Sequence, residues 1–491
     1  LGSEQNVLNQ SPDRLKLIVN LLDNLREIGI AGPCFGKSVI IFRIIFKKFQ
    51  NMNRRIFIER TALTTAGLGL TSVMPGFSNP LKVAPSDSLN VALIGCKSMG
   101  FWILENHLMN PGVNCVALCD IDDSVLNERA ADVKKKYNQA PRLYKDFRKV
   151  LEQKDVDAVI IGTPDHWHCY IMVSALQAGK DVYCEKPMAN SIAECNIMVK
   201  AAKKYNRVVQ IGQQQRSGYI FHKTMDLVKN GSLGKLRKIN IWANFEYGAG
   251  EKIVPDQPVP AGVDFDMWLG PAPKRSFNPT RFHGSWRHFW DYGGGLVSDW
   301  GVHLVDIGLW AGNITAPPQK VLVYGGNTFH ELRSRETFDS MSVIYPNKDF
   351  VISYDVTGGV QKGPYDMPYG IEIIGDNGTI YVDRNKLTLY PEWDEEAKKP
   401  RTEEIRYTEG KESHGDHVKN FIDCIKTRNK TACPPDTARA AAVHVHIPNI
   451  AARVGESMLI WDDEHSRFTN SEAANKLVTP VYRQPWVLPE V

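Results

Sequence analysis

Short apolar runs at residues 90–94, 114–118, 157–161, 181–184 and 208–211 constrain this chain more than any other feature. Each is four or five residues long. The first ends in Gly95, the second in Cys119-Asp120, the third in Gly162-Thr163-Pro164 and the fourth in Glu185-Lys186-Pro187. Helical stretches separate them, at 123–137, 170–178 and 192–205. Strands buried on both faces read as near-continuous apolar runs, and their alternation with helices specifies a parallel, doubly wound α/β sheet.

The pattern changes after residue 215. Runs at 238–245, 320–324, 349–355 and 370–374 are longer or alternate in polarity, which predicts an open, mainly antiparallel sheet in an α+β domain. An aromatic-rich stretch, 264–310, lies between them. Helices are expected at 416–427 and 437–454, followed by an irregular tail. The expected division is a cofactor domain at 89–215 and a substrate domain at 216–491.

Residues 1–51 read as an extension outside the fold, and Met52 as a plausible true start. Residues 52–88 carry Arg54-Arg55 ahead of a mildly apolar, small-residue run at 61–77. A charged start, a short apolar centre and a small-residue exit make an export signal followed by a linker. The paired arginines resemble a twin-arginine signal, so a periplasmic location is expected.

Lys plus Arg number 59 and Asp plus Glu 55, a formal net charge of +4. So small an excess, without a basic stripe, gives no reason to expect a nucleic-acid partner. Apolar segments of the mature part are too short to span a membrane. Nine cysteines without a C-x-x-C pair indicate neither a disulfide framework nor a zinc site, and those in the apolar runs, such as Cys96, Cys115, Cys119 and Cys184, read as buried thiols.

Gly95-Cys96-Lys97-Ser98-Met99-Gly100 follows the first run and opens a helix, the position of a dinucleotide-binding turn. Gly95 suits the tight turn and Gly100 close helix packing. Lys97 stands where a glycine usually lets backbone approach the pyrophosphate; its ammonium either meets phosphate directly or weakens binding. Asp120 ends the second run, where a carboxylate accepts from adenine-ribose hydroxyls and repels a 2′-phosphate. That favours NAD over NADP; the alternative role for Asp120 is a helix cap.

Thr163-Pro164-Asp165-His166-Trp167-His168 and Glu185-Lys186-Pro187 resemble the Gfo/Idh/MocA oxidoreductases. So do Trp268-Leu269-Gly270-Pro271, the stretch from Trp286 to Gly295, the stretch from Asp299 to Asp306, and the Tyr482-Arg483-Gln484-Pro485-Trp486 tail. The resemblance spans roughly residues 89–490. It implies an N-terminal Rossmann domain, a C-terminal domain built on an open sheet, a sugar held between them, and a homo-oligomer.

Moving hydride from a carbinol to nicotinamide requires a base for the hydroxyl proton. Lys186, at the C-terminal end of a strand, is the first candidate; the plainer role is a surface lysine paired with Glu185. Asp299 and His303 stand four apart and share a helix face. The resemblance makes His303 an acid/base and Asp299 a substrate-orienting group, with Asp306 a weaker third. His166 and His168, with Thr163, Pro164 and Glu185, are expected around the cofactor. Trp286, Tyr292 and Trp300 suit stacking on a sugar, or else an aromatic core, and Trp290 belongs with them. Arg287 suits donation to hydroxyls or a carboxylate. His414, His417, His444 and His446 read as helix-face residues.

The expected activity is hydride transfer between a sugar or polyol carbinol and a tightly held NAD(H), loaded before export. Two alternatives use the same residues. One is redox-neutral glycoside cleavage by oxidation and elimination. The other is a sugar-binding protein that keeps the fold without catalysis.

Overall fold

The computed structural model describes residues 88–411 and 413–491. The extension at 1–51, the expected signal at 52–88 apart from Ser88, and the start at Met52 lie outside the described residues.

The first sheet has the strand order β3-β2-β1-β4-β5-β6 and is wholly parallel. Its strands are β1 (Leu89–Ile94), β2 (Val113–Cys119), β3 (Arg142–Tyr144), β4 (Ala158–Ile161), β5 (Asp181–Cys184) and β6 (Val209–Ile211). Both faces are covered. Val91 and Leu93 point into a core with α1 (Ser98–Leu108) and α2 (Asp123–Tyr137). Ala92 and Ile94 point the other way, toward α3 (Phe147–Leu151), α4 (Asp165–Gln177) and α5 (Ile192–Tyr205). Burial on two sides explains why these strands carry no alternation.

The second part follows α6 (Tyr219–Lys229) and holds a ten-stranded sheet, all antiparallel except where β10 meets β7. Its long central strands are β7 (Leu236–Phe245), β8 (Lys320–Gly326), β9 (Ser340–Pro346), β10 (Val351–Gly358), β11 (Tyr369–Gly375) and β12 (Gly378–Val382). The short helix α7 (Phe265–Leu269) lies in the aromatic stretch and α8 (Gly295–Ala311) precedes β8. Met341, Val343 and Tyr345 face inward while Ser342 and Ile344 face out, so one side of this sheet is left open. β13 (Leu387–Pro391) pairs with β12, β14 (Trp393–Asp394) and β15 (Lys399–Pro400) form a small separate hairpin, and β16 (Ile405–Tyr407) closes the edge.

Two later helices tie the domains together. Helix α9 (His414–Thr427) packs back on the first sheet, with Phe421 against His107 and Tyr183. Helix α10 (Pro435–Val454) lies against α8. The tail expected to be irregular holds β17 (Met458–Asp462), β18 (Arg467–Phe468) and α11 (Glu472–Asn475). Its end reaches the first domain, where Trp486 packs edge-on to Trp167, with ring centroids 4.9 Å apart. The eight cysteines among the described residues are buried free thiols.

Helix α8 positions the chemistry. Gly295 takes φ +66°, which lets the chain turn into the helix at a point where a side chain would be strained. Gly301 faces Val445 of α10 and Tyr354 of β10, and Gly308 faces Ile241 of β7. The helix is thereby wedged between sheet and α10, with little freedom to rotate Asp299 and His303.

Candidate active site

Both sheets present residues to one cavity of about 500 Å³. At its floor three glycines touch. Gly95 has φ +85°, and a Cβ there would lie 2.7 Å from Gly162 backbone. A Cβ on Gly100 would lie 2.1 Å from the Gly95 carbonyl oxygen, and one on Gly162 would lie 2.5 Å from Gly100 Cα. Lys97 sits at φ −86°, ψ 153°, a conformation open to any residue, and Ser98 takes the left-handed turn at φ 37°. The lysine therefore replaces glycine without strain. No side chain caps α1; Gly100 N–H donates to the Lys97 carbonyl, and the N–H groups of Ser98 and Met99 are left for an anion.

Asp120 lines the cavity and accepts from Cys96 N (2.7 Å) and Asp122 N (3.0 Å). The cap of α2 is Asp122, whose side chain accepts from Ser124 N. Asp120 thus braces the glycine turn and still presents its carboxylate to the cavity. Four buried polar atoms of lining residues have no partner: Thr163 Oγ1, Glu185 Oε1, Gln214 Oε1 and His303 Nδ1. A glycine cradle, an uncapped helix start and unsatisfied polar atoms fit a dinucleotide running from the α1 turn to the end of β5. We expect Gly162→Ala, which drives its Cβ into Gly100, to weaken NAD binding by about tenfold or more, read by calorimetric titration.

His166 and His168 are placed differently from the expectation. Helix α4 begins at Asp165, with Pro164 at its cap, so both histidines lie inside the first turns. Neither lines the cavity. His166 Nε2 meets the Trp268 carbonyl at 3.1 Å, and burial lowers its pKa to about 3. His168 spans two loops, with Nδ1 at 2.7 Å from Pro187 O and Nε2 at 2.9 Å from Thr163 O. It ties the loop after β4 to the loop carrying Lys186.

Tyr292 is likewise outside the cavity. It is fully buried, packed on Trp268 and His166 with centroids 4.8 and 5.2 Å away. Trp290 faces Phe338 and the Arg453 guanidinium instead. Trp286 and Trp300 do line it. Trp286 lies beneath Arg287, and Trp300 stacks on Phe245 at 4.3 Å.

The reactive cluster sits where β5 ends and α8 passes. Lys186 Nζ donates to Asp299 Oδ1 (2.6 Å) and to the Asp299 carbonyl (2.9 Å). Arg287 Nε reaches the same Oδ1 at 3.1 Å, and the Tyr247 hydroxyl donates to Oδ2 at 2.8 Å. Burial alone would raise the Asp299 carboxyl; the Lys186 and Arg287 cations reverse this and hold it well below the usual carboxylate range. One turn on, burial, reinforced by the Lys186 and Arg384 charges, holds His303 well below the ordinary imidazole pKa. Asp299 is therefore anionic and His303 neutral near pH 7.

Gly95, Lys97, Ser98, Met99, Asp120, Thr163, Pro164, Glu185, Lys186, Trp286, Arg287, Asp299, Trp300 and His303 all line this cavity, while Gly100 packs just behind it. Asp165, Gln214 and Arg384 line it too, without having been singled out, as does His414, and Tyr247 reaches Asp299 from the second sheet. Asp165 lies within the Thr163–His168 motif. His414, grouped above with helix-face histidines, starts α9 and packs on Trp102 at 4.2 Å. Arg384 and Tyr247 come from sequence without any motif.

The oxidoreductase family described as NAD-binding Rossmann fold matches residues 89–213, and its C-terminal alpha/beta domain matches 219–332 and 354–488. The chain belongs to the Gfo/Idh/MocA oxidoreductase family. It is an NAD-binding oxidoreductase of that family. Among solved structures it resembles aldose-aldose oxidoreductase from Caulobacter crescentus, with TM-score 0.57 and 18% identity, covering 76% of this chain and 99% of that one. The WlbA dehydrogenase from Bordetella pertussis, in complex with NADH and UDP-GlcNAcA, gives the same TM-score, identity and coverage. These likenesses speak to the fold. Among curated relatives, a glycosyl hydrolase family 109 protein from Shewanella sp. strain W3-18-1 is 26% identical over 206 residues, 38% of this chain and 45% of that protein. An α-N-acetylgalactosaminidase from Shewanella oneidensis matches to the same extent. The chain thus spans a little under half the length of these relatives.

In this Gfo/Idh/MocA chain Asp306 does not join the cluster. It is buried and clamped by Arg216 through two contacts of 2.7 Å. Removing one partner of a buried ion pair costs about 3–5 kcal/mol. We expect Asp306→Asn to lower stability by that order in urea titration while the folded fraction keeps its NAD affinity.

Proposed function

We propose that this protein oxidises a carbinol of a sugar or polyol with a tightly held NAD. The observation that carries the reading is the Lys186–Asp299 pair beside the neutral His303, in the cavity that also contains the glycine turn. When bound, NAD supplies the acceptor for the hydride leaving the carbinol carbon. His303, uncharged, takes the hydroxyl proton. Lys186, fixed on two oxygens of Asp299, donates toward the oxygen as negative charge develops on it. Asp299, anionic and held by three donors, orients both the ammonium and the substrate hydroxyls. Arg287 and Trp300 line the cavity beside the substrate.

A second reading is supported by the curated relatives named as glycosyl hydrolases. Oxidation of a ring hydroxyl acidifies the neighbouring C–H, elimination expels the aglycone, water adds to the resulting enone, and the ketone is then reduced. Full-length protein is to be incubated with free sugars and with their aryl glycosides. A keto-sugar with stoichiometric reduced cofactor supports the dehydrogenase; free aglycone with no net change in cofactor supports cleavage. No reaction with any sugar refutes both.

The reading includes export, supported by Arg54-Arg55 ahead of the apolar run at 61–77. Tight retention of NAD suits a compartment poor in free cofactor. A signal–reporter fusion that fails to leave the cytoplasm would refute it. Self-association is part of the proposal too, supported by Leu322, Tyr324 and Ile344 lying uncovered on the outer face of the second sheet. Among the described residues no helix is long and apolar enough to cross a membrane.

A further inference from the structure

We infer that the substrate is an acidic sugar whose carboxylate is received by Arg384. The inference rests on the sugar-oxidoreductase reading and names the substrate class within it. Arg384 stands on the hairpin between β12 and β13 and lines the cavity at the end occupied by His303. Its guanidinium lies 4.8 Å over the Trp300 ring and 5.9 Å over that of Tyr369. Nε and Nη2 both donate to Gln215 Oε1, at 3.4 and 3.2 Å. One edge of the fork is therefore held by a neutral amide and the flat face by aromatic rings. The Nη1–Nη2 edge remains, and it matches the two oxygens of a carboxylate.

Arg216, across α8, is fully matched by Asp306. Among the described residues no carboxylate pairs with Arg384. Its neighbour Asp383 is turned back into its own loop, accepting from Asn385 N and Lys386 N. Of the cations lining the substrate end, Lys186 and Arg287 each contact Asp299, whereas Arg384 contacts no carboxylate among the described residues. A neutral hexose would leave the Arg384 guanidinium without a charged partner in a partly buried site. A uronate supplies that charge.

The test uses the full-length NAD-loaded protein. Tryptophan fluorescence is titrated with glucuronate and galacturonate, with glucose and galactose, and with the 6-sulfates of both hexoses. At least one uronate is expected to bind 30-fold or more tighter than its parent hexose, with a preference that falls as salt is raised. In Arg384→Gln the uronate-to-hexose preference should collapse toward one. Equal binding of acid and hexose, a preference untouched by the substitution, or selection of the sulfate esters over the uronates would overturn the inference. Reduction of the cofactor is followed in the same samples. Hexoses that reduce it as well as uronates leave the oxidoreductase reading standing and remove this one. A uronate bound through Arg384 that never reduces the cofactor does the reverse.

Discussion

Replacing Lys186 with Met is expected to lower kcat by about 10³-fold while NAD stays bound. A fixed donor aimed at a developing oxyanion is worth about 10²–10³ in kcat, and misplacing the proton acceptor adds to that. The methionine chain keeps the volume but releases Asp299 from its shortest contact, 2.6 Å to Nζ. Arg287 and Tyr247 still satisfy the carboxylate, so the fold should survive. Lys186→Arg tests the geometry: its planar fork cannot reproduce a point charge held between Oδ1 and the carbonyl of one residue. The expected result is little recovery of kcat. Single-turnover formation of reduced nicotinamide, with bound NAD measured in parallel, separates loss of chemistry from loss of cofactor.

His303→Asn is expected to cost about 10²–10⁴ in kcat, the range for a positioned acid/base. The more specific expectation concerns pH. His303 acts as a base only when neutral, and burial next to Lys186 depresses its pKa well below the ordinary 6.5. Protonation, and with it loss of activity, is therefore displaced to lower pH. The acid limb of kcat/KM for the wild-type protein should lie well below 6.5, with no inflection between pH 6 and 8 from this group. An acid limb centred at 6.5 would mean that the acceptor is a solvated histidine elsewhere. In His303→Asn the residual rate should rise with pH as hydroxide and water replace the imidazole.

Much of this site is legible in the amino-acid sequence. The strands of the first sheet are buried on both faces, so β4 and β5 could be read from unbroken apolar runs, and the residues just after them sit at the cleft by topology alone. Asp299 and His303 were legible because helical spacing puts them on one face and glycines precede them. The misreading of His166 and His168 has a specific origin. A proline at a helix start is a boundary marker, and Pro164 marks α4 beginning at Asp165, five residues earlier than the apolar pattern alone suggests. Once in the helix, both rings turn inward to carbonyls.

Tyr292 was read for its aromatic character, and aromatic character alone does not distinguish a sugar platform from a buried cluster. Tyr247 and Arg384 were out of reach for a different reason. They are brought to the cavity by the second sheet, whose register no local motif reveals. His414 arrives through α9, which crosses back to the first domain.

The most direct test follows a deuterium atom. Sugars and uronates carrying deuterium on their ring carbinol carbons are incubated with the NAD-loaded protein, and the cofactor is released by denaturation and weighed. Both oxidation and oxidation–elimination pass the carbinol deuterium to the cofactor, the latter returning it when the ketone is reduced, so each reaction is quenched within a single turnover; reduced nicotinamide one mass unit heavier than that formed from unlabelled sugar is expected in wild-type protein, and its loss in Lys186→Met. An unlabelled cofactor across the whole panel, or labelling undiminished by that substitution, would contradict a carbinol oxidised between residues 186 and 303.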